Sequence, residues 1–326
     1  MKLPRRQFLH LAAGAAALPA ISLAARAQTY PSRYVRFVVP FPPGGSTDPV
    51  ARVLANRLSE LWGQQVVIEN KGGAGGNIGA QAAVQSAPDG YTLFIATSFL
   101  ATNPFLFPAL GYDPITDLAP VTRLTAFTNV MVVPNSSPAK SVKEFVEHAR
   151  TKAGVTTFAS PGTGTIQHLS GELFKRMAGI ALTHVPYRGG GPALNDLIPG
   201  RVDAMFATLP AALPQIQGGS IRALAVTSGA RVPFAPDIPT IAESALPGFD
   251  VSDGHALFMA AKTPAEIVRK VHADTVAALA HQPVKQKLEE LAVAVATSTP
   301  AELTAYLKSE MEKWGAVIKE ANIKAE

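Results

Sequence analysis

Val39-Pro40-Phe41-Pro42-Pro43-Gly44-Gly45-Ser46-Thr47-Asp48 separates two different periodicities. Before it, Val35, Phe37 and Val39 alternate as a strand with one buried face requires, which predicts a strand from Tyr34. After it, Val50, Val53, Leu54, Leu58, Leu61 and Trp62 share one face of a helix. Prolines stop the strand, the glycines let the chain turn, and Pro49 suits a first helical turn. The unit then repeats. Val66 to Glu69 predicts a second strand, the glycines from Gly72 to Gly79 lead into a helix, and Tyr91 to Thr97 predicts a third strand ending at Ser98. Such alternation predicts an α/β lobe with a largely parallel sheet.

The same grammar continues. Phe127 to Val133 predicts a strand that crosses to a second lobe, and Ser141-Val142-Lys143-Glu144 has the capping-box pattern of a helix start. Thr156 to Ser160 predicts a strand, with Pro161-Gly162-Thr163-Gly164-Thr165 as its turn and a helix bearing Leu169, Leu173, Phe174 and Met177 on one side. Thr183 to Tyr187, Asp203 to Ala207 and Arg222 to Thr227 complete a second sheet. Gly254 to Ala261 predicts the return strand. Helices follow from Pro264, Val284 and Pro300, the last with Leu303, Leu307, Met311 and Trp314 buried. No linker or low-complexity tract interrupts residues 28–326, so the two lobes are expected to intertwine: 28–126 with 254–326 as lobe 1, and 127–253 as lobe 2.

Residues 1–27 read as a cleaved leader. A basic start (Lys2, Arg5, Arg6) precedes an apolar run from Leu11 to Ala25 and a small-residue stop ending at Ala27. Arg5-Arg6-Gln7-Phe8-Leu9 also resembles a twin-arginine export signal. The alternative, a membrane anchor, meets an apolar run short for a bilayer span. The leader holds four of the 29 basic residues and no acidic ones, which leaves 25 against 24, or +1. That balance offers no field for a phosphate backbone, so nucleic acid is not an expected partner. With no cysteine in the chain, thiol catalysis, disulfides and cysteine-based zinc sites are excluded.

Gly44-Gly45-Ser46-Thr47 and Gly162-Thr163-Gly164-Thr165 are candidate anion sites. Each is a glycine turn from a strand into a helix, where unpaired amides and small hydroxyls converge. The plain structural alternative is that the glycines only let the chain turn. Asp48 either caps the helix opened by Pro49 or faces the cleft to accept from a ligand ammonium. Arg188, beside Tyr187, either meets a carboxylate or lies in solvent. His168 is a donor candidate or an ordinary, partly buried histidine. Enzyme motifs are missing: the run from Gly72 lacks the phosphate-loop lysine, no Gly-x-Ser-x-Gly elbow occurs, and no His-Glu-x-x-His exists. A metal, a cofactor and a catalytic activity are therefore not expected.

These segments carry a resemblance. Tyr30-Pro31-Ser32-Arg33, Val39 to Asp48, and Glu69-Asn70-Lys71-Gly72-Gly73-Ala74-Gly75-Gly76-Asn77-Ile78-Gly79 resemble the substrate-binding receptors of tripartite tricarboxylate transporters, also called the Bug family. Pro88-Asp89-Gly90-Tyr91, His168-Leu169-Ser170-Gly171-Glu172 and His184-Val185-Pro186-Tyr187 extend the match along the chain. The resemblance implies a two-lobed, clamshell periplasmic binding protein of the type II class, monomeric, that captures a small carboxylate and hands it to a two-component membrane permease. A membrane sensor is the alternative partner. It also implies ligand contacts at Phe41, Gly44 to Asp48, Ser98, Gly162 to Thr165, His168, Tyr187, Arg188 and Thr208. Two stretches depart from the family's usual pattern, Phe206-Ala207-Thr208 and Ser252-Asp253-Gly254-His255, where His255 is expected to supply a polar ligand contact.

Overall fold

The computed structural model describes residues 30–43, 46–152 and 154–324. The leader, its arginines and Gly44 and Gly45 lie outside the described residues. From Arg33 onward the chain is one compact unit.

The first sheet is built by β1 (Val35–Val39), α1 (Thr47–Trp62), β2 (Val66–Asn70), α2 (Asn77–Val84), β3 (Thr92–Ala96) and α3 (Phe99–Leu106). β1 pairs in parallel with both β2 and β3. β4 (Leu118–Pro134) then runs through both sheets. The second sheet follows from α4 (Val142–Thr151), β5 (Thr157–Ser160), α5 (Ile166–Ala178), β6 (Thr183–Pro186), α6 (Gly190–Leu197), β7 (Ala204–Thr208), α7 (Leu209–Gln217), β8 (Ile221–Val226) and α8 (Ile241–Ser244). β9 (Ser252–Ala260) returns to the first sheet, followed by α9 (Ala265–Ala280), α10 (Gln282–Glu290), β10 (Ala294–Val295) and α11 (Pro300–Glu320).

Both sheets repeat one strand order. The first reads β2-β1-β3-β9-β4 and the second β6-β5-β7-β4-β8. In each, the strand fourth in order is antiparallel to its neighbours, and it is the strand that arrives from the other sheet. The outer strands are parallel, so their carboxyl ends, and the helix starts after them, converge on the crossing segments of β4 and β9. Open α/β sheets bind ligands at that edge.

Several expectations are corrected. β4 begins at Leu118, nine residues before Phe127, because bulges between Pro120 and Thr122 and between Arg123 and Thr125 break the alternation that marks a strand. The helices α3 and α7 follow strands directly and each contains an internal proline, which reads as a turn. Leu61 and Met177 are exposed, since Leu58 and Ala178 carry the core faces in those last turns. In α11, Leu303, Leu307 and Trp314 are buried as the helical spacing predicts, whereas Met311 is only partly covered. The last turn of α11 also reaches α5 of the second sheet, where Arg176 pairs with Glu320. Phe158, Phe174 and Phe206 pack ring against ring under the second sheet, each worth about 1.5–3 kcal/mol of burial.

Candidate ligand-binding site

The turn after β1 delivers the chain to α1 with Ser46 as the N-cap residue, although its hydroxyl makes no capping bond. Asp48 is therefore not the cap. The helix starts two residues before Pro49, which puts Asp48 in its first turn, facing Arg52 one turn on. Its carboxylate accepts from Arg52 Nε (2.9 Å) and Nη2 (3.1 Å) and from Asn70 Nδ2 (2.9 Å). Asn70 Nδ2 also donates to the carbonyl of Phe41, so this buried carboxylate braces the loop to β2. Phe41 packs edge-on against Phe99 at the start of α3, with ring centroids 5.8 Å apart. That contact ties the loop to the end of β3, where Ser98 is the N-cap residue of α3.

His255 is buried and lines a small cavity with Ser98 and Asp253. It is 1% exposed and both ring nitrogens are engaged, Nδ1 with Thr125 Oγ1 (2.7 Å) and Nε2 with Thr47 Oγ1 (3.3 Å). The ring rests on Phe127, and burial pushes its pKa down to about 3. A neutral imidazole has one N–H, so it donates to one threonine and accepts from the other. His255 thereby clamps β9, β4 and the start of α1 together. Next to it, Asp253 accepts from the amides of Ser98 (3.3 Å) and Gly254 (2.7 Å). Burial raises this carboxyl to about 6 against those hydrogen bonds, and Glu310 adds like charge. A cavity of about 30 Å³, room for a water or two, lies beside it and is lined by Arg123, Tyr306 and Glu310 among others.

These two groups act on stability with opposite signs. An unfolded chain protonates His255 near pH 6.5, so the folded state loses about 1.4 kcal/mol per pH unit from there toward pH 3. Asp253 takes its proton earlier in the folded chain, near 6, than in the unfolded chain, near 3.8. Lowering the pH through that window adds stability at about the same rate. Asp253→Asn keeps an acceptor and removes this gain. Its urea midpoint should fall more steeply than that of the wild type between pH 6 and 4, and equal slopes would refute the assignment.

The second turn is wired largely to itself. The Gly162 amide donates to Ser160 Oγ (3.2 Å), the Thr165 amide to the Gly162 carbonyl (3.3 Å), and the Gly164 amide to Nδ1 of His168 (3.0 Å). Thr165 is the N-cap of α5. Its hydroxyl donates to the Gly162 carbonyl (2.8 Å) and accepts from the His168 amide (3.3 Å). The donors left at this turn are those of Thr163 and the opening amides of α5. His168 is 5% exposed and stacks on His184 with ring centroids 3.7 Å apart. Burial, together with neighbouring His168, pushes His184 down to about 3. Gly164 has φ of +78°, and a Cβ there would meet Leu106 Cδ1 at 2.3 Å. Leu106 is the last residue of α3, so the second turn sits directly on the helix that Ser98 begins.

Tyr187 and Arg188 separate. The Tyr187 hydroxyl donates to Asp196 (2.9 Å), which Arg201 also holds, so it braces α6. Arg188 is exposed and has no ion-pair partner among the described residues, while the next amide, Gly189, donates to the Pro161 carbonyl beside the second turn (2.9 Å). Thr208 ends β7 as the N-cap residue of α7, with no capping bond from its side chain. Opposite it on β4 stands Asn129, a residue not singled out from the sequence. The signal was available there, since an amide directly before the apolar run Val130-Met131-Val132-Val133 is a polar group in a buried strand. Asn129 Oδ1 accepts from Gln167 Nε2 (2.7 Å) in the first turn of α5.

Helix starts, hydroxyls and amides thus lie where the two sheets meet, and known proteins share the fold. A family model described as tripartite tricarboxylate transporter family receptor matches residues 50–323. An R. palustris protein solved with adipate is 37% identical, with a TM-score of 0.85 over 91% of this chain and 100% of that one. The periplasmic binding protein BugD is 34% identical, with a TM-score of 0.81 over 91% and 100%. MatC of Rhodopseudomonas palustris, solved with bound malate, is 34% identical, with a TM-score of 0.77 over 89% and 100%. The chain belongs to the tripartite tricarboxylate transporter receptor family and has the two-lobed α/β fold of its periplasmic binding proteins.

Proposed function

We propose that this protein is exported, loses its leader near Ala27, and captures a small ionised organic acid in the periplasm for delivery to a membrane permease. Residues 28–126 with 254–326 form one lobe and 127–253 the other. β4 and β9 are the hinge. The observation that carries the reading is the convergence of the starts of α1, α3, α5 and α7 on the crossing strands. Helix starts present unpaired amides and the positive end of the helix dipole, which suits an anion. Relatives solved with adipate and with malate support a carboxylate as that anion. The donor set needs no cofactor. Ser46, Thr163 and Thr208 supply hydroxyls, Ser98 shares its hydroxyl with Asp253 and braces the frame, and Arg188 is the cation beside the second turn. Thr47, Asp48, Thr165, His168, Tyr187 and His255 hold the frame.

A ligand that binds only the folded state must stabilise it. At about a thousand times its dissociation constant the gain is about 4 kcal/mol, or roughly 8 °C in melting temperature for a chain of this size. A thermal-shift screen of residues 28–326 should show such a shift with adipate, malate or a related mono-, di- or tricarboxylate. A panel of organic acids that leaves the melting temperature unmoved would reject the reading.

A further inference from the structure

Asn129 is fully buried, and its Nδ2 has no hydrogen-bond partner among the described residues. Its other side-chain atom is fixed, because Oδ1 takes the Gln167 amide at 2.7 Å. The backbone is equally constrained. The Asn129 amide donates to Thr227 Oγ1 (3.1 Å), and the Asn129 carbonyl accepts from the Thr227 amide (2.9 Å). A buried amide N–H2 left without an acceptor is unfavourable, and native structures rarely keep one without reason. Its surroundings point to that reason. Gln167 belongs to the opening turn of α5, whose Ile166 and Gln167 amides have no intrahelical carbonyl, while the His168 amide goes to Thr165. Thr208, the cross-strand partner of Asn129, has a hydroxyl with no capping bond at the start of α7. Asn129 Nδ2 thus lies beside the openings of α5 and α7, on the hinge strand, with no acceptor for it among the described residues.

We propose that Asn129, oriented by Gln167, is a ligand contact: its free Nδ2 donates to an oxygen of the captured acid's carboxylate at the floor of the cleft. The inference rests on the reading of the protein as a carboxylate receptor and deepens it. A free amide N–H at the floor favours a ligand that presents an acceptor oxygen there. An ionised carboxylate is acceptor-only and fits, whereas an ammonium, which only donates, does not. Specificity for the acid end of the ligand would then lie on β4 as well as in the two glycine turns.

Two variants test this, with adipate and malate as probes. Asn129→Asp keeps the shape and the acceptor for Gln167 but replaces the donor with a like charge. Affinity should fall by a hundredfold or more, since removing a charge-assisted hydrogen bond alone accounts for tenfold to a hundredfold. The double variant Asn129→Leu with Gln167→Leu removes both amides, so neither partner is stranded. Its ligand-free melting temperature should equal or exceed that of the wild type, while the ligand-induced shift disappears. A purely structural amide pair predicts the reverse, a lower melting temperature with ligand response retained, and that result overturns the proposal. Wild-type affinity in Asn129→Asp overturns it too. If adipate and malate leave the wild type unmoved, the acid of the panel that does shift it serves as the probe, and if none does, the receptor reading itself fails and takes this inference with it.

Discussion

Gly254→Ala should lower the stability of the protein by about 3 kcal/mol or more, a drop of roughly 6 °C in melting temperature. Gly254 lies in β9 opposite Ala126 of β4, at the crossing between the sheets. An added Cβ would sit 2.3 Å from the Thr125 carbonyl oxygen and 3.5 Å from the Ala126 Cα. Those are backbone atoms of a strand paired on both sides, so they have no rotamer by which to yield. Relief requires β4 and β9 to part, where Thr125 holds His255 and Asp253 holds Ser98. The damage should therefore spread to the ligand response. Gly190→Ala is the control: nothing lies within 4 Å of its added Cβ, and it opens α6 with an ordinary backbone. It should be neutral or mildly stabilising. Urea unfolding of the two variants checks this, and similar losses in both would show that the close approach at Gly254 is not the cause.

Gly164→Val should abolish measurable capture, with affinity for whichever acid shifts the wild type reduced by more than a hundredfold. Two effects add. A β-branched residue is strained by about 1–2 kcal/mol or more at the left-handed φ of +78°. Its Cβ would also strike Leu106, which is itself buried and cannot swing aside. The second turn would then be pushed off α3, opening the seam between the two donor sets. Thr165→Val behaves differently from what a ligand-facing hydroxyl would imply. The Thr165 proton is given to the Gly162 carbonyl, so the loss should be about 1 kcal/mol of stability, the usual effect of removing an N-cap. Isothermal titration and thermal melts of both variants separate the two outcomes. Near-normal binding by Gly164→Val would mean that the turn and α3 need not touch in the ligand-bound protein.

Much of the architecture is legible in the sequence. Period-two runs such as Val35, Phe37 and Val39, glycine turns and amphipathic helices recurred in chain order, and local physics suffices to read them. The crossing of the chain between two sheets followed from the lack of a linker. The carboxylate-receptor reading came from motif resemblance, since glycine turns alone are equally good plain turns.

What local pattern could not decide was where each polar group spends its hydrogen bonds. Asp48 looked like a cap beside Pro49 and is instead tied to Arg52 and Asn70, because Ser46 begins the helix earlier. His168 and His255 looked like ligand donors, yet partners distant in sequence occupy their ring nitrogens or stack on them. Thr165 caps its own helix. Asn129 went unnoticed within an apolar strand until Gln167 and Thr208 were brought beside it. The sequence by itself determined the order of elements, because helix, strand and turn preferences act over a few neighbouring residues. Only the tertiary structure decided which donors are satisfied internally and which are left for a ligand, because a hydrogen bond depends on contacts between residues far apart in the chain.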